Sequence, residues 1–90
     1  MAFAWDPVKD TANRRKHRVD FHEAATVLED NLSTTFPDPD HSRDEQRYVT
    51  IGRSTRGRTL VVAHADRGDT IRIISARRAT RRERRFHEEG

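Results

Sequence analysis

The 90-residue chain contains no cysteine, which excludes disulfide bridges, thiolate nucleophiles and zinc sites built on cysteine. It has no long apolar run, and its first residues lack the pattern of a signal peptide, so we expect neither a membrane segment nor export. Hydrophobic residues make up 32% of the chain and aromatic residues 7%, which suffices for one thin core. These limits predict one domain over residues 1–90, located in the cytoplasm.

Lysine is scarce in a chain that is otherwise rich in positive charge. Among the 18 lysines and arginines, Lys9 and Lys16 are the two lysines, and 15 acidic residues oppose the whole set. Arginine binds phosphate through a planar set of donors and stacks on bases. This excess favours a nucleic-acid partner, whereas the alternative is a charged surface that contacts only water.

Three runs rich in Val, Ile and Thr lie in residues 48–53, 59–65 and 70–76. Such residues favour strands, and the breaks between the runs contain Gly57 and Gly68, which tolerate the positive φ of tight turns. The pattern predicts a small antiparallel meander sheet. Because cationic residues lie in or beside these strands, one face of the sheet is a plausible surface for RNA.

Two helices are predicted before the strands. Asp6 suits a helix cap and Pro7 the first helical position, for a helix that ends near Lys16. A second helix begins at Asp20, which has capping-box spacing with Glu23. The apolar residues of the second helix recur at i, i+3, i+4 and i+7, which predicts a buried stripe: Phe21, Ala24, Ala25 and Leu28.

The remaining segments complete an α+β prediction. Residues 2–5 are read either as an edge strand or as a plug under the first helix, and residues 32–36 as a first strand ended by Pro37. Thr80 and Glu83 have capping-box spacing for a C-terminal helix. We therefore expect a small antiparallel meander with two N-terminal helices and one C-terminal helix.

The acidic loop over residues 38–44 alternates oxygen-bearing side chains as a calcium loop does, at Asp38, Asp40, Ser42 and Asp44. Arg43 stands at the sixth position, where that loop needs glycine, and Val49 at the twelfth, where it needs glutamate. We therefore predict no metal site and no cofactor, although a chance site using His41 stays open.

The sequence offers no paired carboxylates, no Ser-His-Asp context and no glycine-rich phosphate loop. Its Arg, Lys and His residues suffice for one reaction, the cleavage of RNA without a metal ion. In that reaction the 2′-hydroxyl attacks its own phosphate, so the enzyme must orient the strand, stabilise the phosphorane and move two protons.

His64 is the first candidate for proton transfer, although a histidine on an apolar strand is also typical of a core. Arg72 and Arg77 are the candidates for holding the scissile phosphate, and the alternative for both is an ion pair with Asp or Glu. His17 is a second candidate for proton transfer and Lys16 for RNA binding, unless both only interact with the dipole at the end of the first helix. Further cations in or beside the strands are expected to bind RNA: Arg47, Arg53 and Arg58.

The sequence resembles the BrnT family of type II toxins over nearly its whole length. The resemblance lies in the segments FAWDP (3–7), NRRKHRVDFHEAA (13–25), TFPDPDH (35–41), RYVTIGRS (47–54), GRTLVVAH (57–64) and IRIISARRATRRERR (71–85). It implies a RelE-like toxin fold and a metal-independent endoribonuclease that arrests translation and growth. Two departures stand out, since the family commonly has glycine where this chain has Arg18 and often tyrosine where it has Phe86.

The resemblance also implies a BrnA-like antitoxin, which carries a ribbon-helix-helix DNA-binding part and represses its own operon together with the toxin. Dimerisation of that part predicts a two-plus-two complex that contacts operator DNA through the antitoxin alone. We expect acidic antitoxin residues to cover Arg72, Arg77 and the cations of the last helix. Those cations are Arg81, Arg82, Arg84 and Arg85.

Two other functions remain open at this point. The chain is either a toxin that binds a protein such as a topoisomerase through its last helix, or a non-catalytic nucleic-acid-binding module. Against the second stands the shortage of aromatic residues for stacking on bases, because only Tyr48 lies on the predicted meander.

Overall fold

The computed structural model describes residues 2–41 and 45–89, which form five strands, three α-helices and one short 3₁₀ helix. In chain order these are β1 (Ala2–Ala4), α1 (Pro7–His17), α2 (Phe21–Leu28), β2 (Thr34–Pro37), the 3₁₀ helix (Pro39–His41), β3 (Arg47–Arg53), β4 (Thr59–Arg67), β5 (Thr70–Arg78) and α3 (Arg81–Glu89). The predicted α+β class with three helices is confirmed.

The strands form one mixed sheet in the order β1-β5-β4-β3-β2. Neighbours from β2 to β5 are antiparallel, whereas β1 pairs with β5 in parallel. The prediction of a purely antiparallel sheet is therefore wrong at β1. The sequence of a three-residue segment does not indicate whether the strand will pair in parallel or antiparallel. For β1 this is decided by the path of the chain, which passes through α1 and α2 before it returns to the sheet.

The sheet buries one of its faces, here called the core face, against α2. Phe21, Ala24 and Val27 of α2 pack with Leu60 and Val62 of β4 in the core cluster, which also includes Val19, Ala25, Ile73 and Ala76. The predicted stripe on α2 is confirmed except at its end, because Leu28 is half-buried while Val27 is fully buried. Burial of these apolar side chains is the main favourable contribution to folding.

A buried asparagine joins α1 to the free edge of β5. The Asn13 side chain donates to the carbonyl oxygens of Val19 and Ala76, both at 2.8 Å, and accepts from the Ala76 N–H at 3.1 Å. These bonds satisfy backbone groups that β1 leaves uncovered, because β1 pairs with β5 only from Thr70 to Arg72. A buried unpaired backbone group is costly, so Asn13 stabilises this edge.

The turn between α1 and α2 places a non-glycine residue in the left-handed region. Arg18 has φ 60° and ψ 31° and ends α1, and its N–H donates to the Arg14 carbonyl at 2.9 Å. This conformation lets the next residue, Val19, enter the core with no exposed surface. For an L-residue with a side chain it costs roughly 1–2 kcal/mol.

The C-terminal helix lies on the opposite face of the sheet, here called the outer face. The predicted capping box is present, since the Glu83 carboxylate accepts from the Thr80 N–H at 2.8 Å and the Thr80 hydroxyl accepts from the Glu83 N–H at 3.1 Å. The Arg77 guanidinium donates to both Glu83 oxygens, at 2.7 and 2.9 Å. At the other end of α3, the Phe86 ring lies 6.1 Å from the Phe36 ring of β2.

Among the residues that the structure describes, no helix is long and apolar enough to cross a membrane.

The strained turn generates a stability prediction. Arg18→Gly should raise the free energy of unfolding by about 1 kcal/mol, because it removes the left-handed penalty and the greater freedom of glycine in the unfolded chain offsets only part of it. Urea unfolding measures the change. Arg18→Ala is the matched control, since it removes the same exposed side chain and keeps the strain. Equal stability of the two variants would show that the turn is not strained.

The attachment of α3 generates a pH prediction. Hydrogen bonds from Arg77 lower the pKa of Glu83 from 4.5 to about 2, so the pair stabilises the fold above pH 4.5 and its contribution disappears as the pH falls towards 2. Glu83→Gln should destabilise the protein at pH 7 by about 1 kcal/mol, after allowance for solvent screening of a partly exposed pair. The difference from the wild type should shrink steadily between pH 4.5 and pH 2.

Thermal unfolding at several pH values measures this difference, with Glu89→Gln as the control on the same helix. A gap between wild type and Glu83→Gln that stays constant from pH 7 to pH 3 would rule out the ion pair as its cause.

Candidate nucleic-acid interface

The sheet separates the predicted site residues into two groups. Strand alternation and register place Arg72 and Arg77 of β5 and Arg47 and Arg53 of β3 on the outer face. His64 shares the core face with Leu60 and Val62. His64, the first candidate for proton transfer, therefore lies on the opposite face from Arg53, Arg72 and Arg77.

His64 is a hydrogen-bonded core residue. Its side chain is 3% exposed, its Nε2 lies 2.7 Å from the Thr50 hydroxyl and its Nδ1 lies 2.8 Å from the Asp66 carboxylate. The Tyr48 ring stacks on it at 5.8 Å. With both ring nitrogens engaged and the ring buried, His64 fits the core alternative better than proton transfer to RNA.

Arg58 also interacts with residues on the core-face side of the sheet. Its Nε donates to the Glu23 carboxylate at 2.9 Å, its Nη2 donates to the second oxygen of that carboxylate, and the same nitrogen donates to the Arg18 carbonyl at 3.1 Å. Glu23 is 4% exposed, and hydrogen bonds from Arg58 hold the pKa of Glu23 below its usual range. A buried carboxylate needs such a partner, so Arg58 has a structural task.

Lys16 and His17 end α1, the helix whose Asn13 bonds the free edge of β5. Lys16 is exposed and His17 is half-buried. Within the described ranges 2–41 and 45–89, no hydrogen bond or ion pair connects either of them to Arg72 or Arg77. They lie outside the clusters described below.

Three arginines converge on one carboxylate at one end of the outer face. Arg67 donates to Glu45 at 2.7 Å and 3.1 Å, Arg72 donates to the other oxygen of Glu45, and Arg47 lies 3.9 Å from that oxygen. Arg47 and Arg72 flank Ala65 in one row across β3, β4 and β5. We name Arg47, Arg67 and Arg72 the outer arginine cluster.

The outer arginine cluster keeps excess positive charge after this pairing. The guanidinium groups of Arg67 and Arg72 against the single Glu45 carboxylate leave one positive charge (2 − 1 = 1). Hydrogen bonds from Arg67 and Arg72 lower the pKa of Glu45, so that carboxylate stays ionised near neutral pH. The Nε of Arg72 is buried without a hydrogen-bond partner among the described residues. Such a cluster is suited to bind a further anionic oxygen.

A second cluster lies in a cleft between α3 and the strands β2, β3 and β4. The cleft has a volume of about 530 Å³ and is lined by Asp30, Leu32, Thr34, Arg53, Thr59, His87 and Glu88. We name it the Arg53–His87 cleft. The Asp30 carboxylate accepts from the N–H groups of Arg53 at 2.9 Å and Leu32 at 3.1 Å, and these bonds lower its pKa.

The exposed side of α3 combines charge with an apolar pocket. Its four predicted partner-binding arginines are all exposed: Arg81, Arg82, Arg84 and Arg85. Beside them is a pocket of about 330 Å³ lined by Phe36, Val49, Ile51, Val61, Arg82, Glu83 and Phe86. Phe86 is 60% exposed although it is the large apolar residue of this helix. An exposed aromatic ring beside exposed cations is typical of a binding surface.

The described part of the acidic loop brings His41 close to Asp38. His41 Nδ1 lies 3.0 Å from the Asp38 carboxylate. Ser42 and Asp44, two positions of the rejected calcium pattern, lie outside the described residues. In the part of the chain that is described, no three His, Asp or Glu side chains approach closely enough to hold a metal ion.

Sequence reasoning missed Arg67, Glu45 and His87. Arg67 and Glu45 were read as parts of loops, whereas β4 extends to Arg67 and Glu45 lies two residues before β3. His87 follows Glu83 by four residues, a spacing that places both on one side of a helix. That spacing is the signal that could have predicted His87 on the side of α3 that faces the sheet.

Comparison with known proteins agrees with this arrangement. Residues 5–83 match the family model described as the ribonuclease toxin BrnT of type II toxin–antitoxin systems. The crystal structure of the Brucella abortus ribonuclease toxin BrnT aligns with a TM-score of 0.70 and 25% sequence identity, over 90% of this chain and 99% of that chain. No curated protein matches the sequence. Since the family match spans well over half of the chain, this protein belongs to the BrnT family of ribonuclease toxins of type II toxin–antitoxin systems.

Proposed function

We propose that this protein is a metal-independent endoribonuclease of the cytoplasm that arrests translation and growth, and that a BrnA-like antitoxin neutralises it. The observation that carries the proposal is the outer arginine cluster, in which the Arg67 and Arg72 guanidinium groups share one carboxylate on the outer face of the sheet. Guanidinium groups bind the phosphates of RNA, and the RNA supplies its own nucleophile.

When RNA binds, one of its phosphate groups replaces the Glu45 carboxylate as the partner of the cluster's guanidinium groups. A phosphate group carries the same charge and the same kind of oxygen acceptors as the Glu45 carboxylate, so it fits the same guanidinium donors. Arg47 and Arg72 sit two strands apart, about 10 Å at the backbone, which offers two contact points to one strand of RNA. Arg72 is the main phosphate contact in this proposal, with Arg47 and Arg53 as further RNA-binding residues.

The other proposed catalytic residues differ in how freely their side chains can contact RNA. Arg77 donates both arms of its guanidinium to Glu83, so it is better placed to support α3 than to hold RNA. His17 stays a candidate for proton transfer, and Lys16 for RNA contact. His64 is a weaker candidate because its ring is buried on the other side of the sheet.

The proposal predicts RNA cleavage by the purified protein in the presence of EDTA. Replacing Arg72 by alanine should lower kcat/KM on an oligoribonucleotide by about 100-fold, because one phosphate-stabilising donor is lost from the cluster. Arg78→Ala is the matched control. Arg78 lies on the same strand but outside the cluster, so this variant should cleave RNA like the wild type. A substrate with 2′-deoxyribose at the cleaved position should remain intact.

Circular dichroism spectra establish that both variants fold. Cleavage that stops in EDTA would contradict metal independence, and an Arg72→Ala variant as active as Arg78→Ala would contradict the role of the cluster.

The proposed antitoxin surface is the exposed side of α3. Four cations beside a 330 Å³ apolar pocket favour a partner segment that combines acidic residues with an apolar side chain. We assign this segment to a BrnA-like chain whose ribbon-helix-helix part dimerises, which gives a two-plus-two assembly. Operator DNA is then contacted by the antitoxin alone.

The antitoxin surface predicts strong dependence on charge. Replacing Arg81, Arg82, Arg84 and Arg85 by glutamate should weaken antitoxin binding by at least about 100-fold, because attraction becomes repulsion at four positions. Arg14→Glu together with Arg15→Glu on α1 is the control. Calorimetry measures both affinities, and unchanged binding of the fourfold variant would place the antitoxin elsewhere.

A further inference from the structure

The Arg53–His87 cleft brings together chemical groups that the outer arginine cluster lacks. It contains an imidazole and two carboxylates beside a guanidinium, with the hydroxyl groups of Thr34 and Thr59 in its wall. Its volume of about 530 Å³ lies within the range of roughly 300–1,000 Å³ that is typical of ligand clefts. A phosphodiester with its two sugars fits such a space.

His87 differs from the other described histidines in what its ring faces. The ring lines the cleft, and its Nδ1 is buried without a hydrogen-bond partner among the described residues. Buried polar atoms in folded proteins are normally paired, so the unsatisfied Nδ1 shows that no hydrogen bond within the described residues ties this nitrogen to a structural role. His64, by contrast, uses both ring nitrogens inside the protein.

Charged groups of both signs line the cleft beside His87. Asp30 and Glu88 contribute negative charge to the cleft and Arg53 contributes positive charge. The Asp30 carboxylate is fixed by the N–H groups of Arg53 and Leu32, which keep its pKa low and its charge in place. Asp30 therefore places a fixed negative charge in the cleft.

We propose that the Arg53–His87 cleft is the centre in which the RNA phosphodiester is cleaved, with His87 as the proton donor and Arg53 as the phosphate-binding cation. This assignment rests on the proposed ribonuclease function and names the residues that carry out its chemistry.

The reaction needs two proton-transfer groups on opposite sides of the phosphorus, because attack and departure are in line. The 2′-oxygen forms a bond to phosphorus while the bond from phosphorus to the 5′-oxygen breaks. The proton of the 2′-hydroxyl passes to the Glu88 carboxylate, and the His87 imidazolium gives its proton to the departing 5′-oxygen. Arg53 neutralises the phosphorane, and the products are a 2′,3′-cyclic phosphate and a 5′-hydroxyl.

The cleft and the outer arginine cluster lie at opposite ends of β3, so one RNA strand can run from one to the other. Arg47 and Arg53 are the two ends of β3 on the same face, about 20 Å apart at the rise of an extended strand. Between them lie the Phe36 and Phe86 rings, on which bases can stack. RNA bound along β3 thus places one phosphate at the cluster while another enters the cleft.

The test uses the full-length wild-type protein and an oligoribonucleotide in EDTA. His87→Gln should lower kcat by about 100-fold with a change in KM below about threefold, because the proton donor acts in the transition state. The wild type should lose activity towards alkaline pH as the imidazolium deprotonates, and this decline should be absent from the residual activity of His87→Gln. Arg53→Ala should lower kcat/KM by about 100-fold.

Matched controls are His22→Gln on α2 and Glu89→Gln beside Glu88, both of which should cleave like the wild type. Glu88→Gln should lower kcat in the same assay. Because a variant of α3 could dislodge that helix, melting temperatures are compared, and added imidazole should partly restore His87→Gly if the ring acts chemically.

The outcomes separate two failures. Wild-type protein that leaves RNA intact would contradict the ribonuclease proposal and this assignment with it. Active wild type together with a fully active His87→Gln, or loss of activity in His17→Gln alone, would overturn the assignment of His87 and leave the ribonuclease proposal standing.

Discussion

The pairing of Arg77 with Glu83 determines where the C-terminal helix lies on the outer face of the sheet. Both arms of the guanidinium reach the carboxylate, which is also the N-terminal cap of the helix. A planar guanidinium held at two points restricts the orientation of its partner as well as its position. The Phe36–Phe86 contact then aligns the far end. Everything that α3 contributes depends on these two attachments: the cleft at His87, the apolar pocket and the exposed arginines.

A thin core explains why ion pairs have so much influence on this structure. The apolar cluster lies almost entirely on the core face, and its members come from α2, the turn before it and the strands β4 and β5. On the outer face, the described contacts of α3 with the sheet include one ion pair and one aromatic contact. A helix held in this way is easier to displace than one with a continuous apolar face. The same weak coverage leaves the apolar pocket open to a partner.

The arginines of this protein differ in how fully a carboxylate of the same fold pairs with them. Arg58 satisfies the buried Glu23, and Arg77 satisfies Glu83. Around Glu45, three arginines lie within 4 Å of one carboxylate. Composition alone predicts a nucleic-acid partner but treats all arginines alike. Their separation into structural and available cations follows from which acidic side chain the fold brings close.

The sequence by itself determined the local elements, because caps and periodicity act within a few residues. Asp6 before Pro7 and Thr80 before Glu83 form the predicted helix starts, and the β-branched runs form β3, β4 and β5. The segments that resemble BrnT toxins were sufficient to predict the family. The tertiary structure alone decided the parallel edge strand, the face on which each cation lies and the partner of each histidine. The sequence favours His64 and does not single out His87, but His64 is buried on the core face and His87 lines a cleft. That difference depends on contacts between residues far apart in the chain, which no local pattern records.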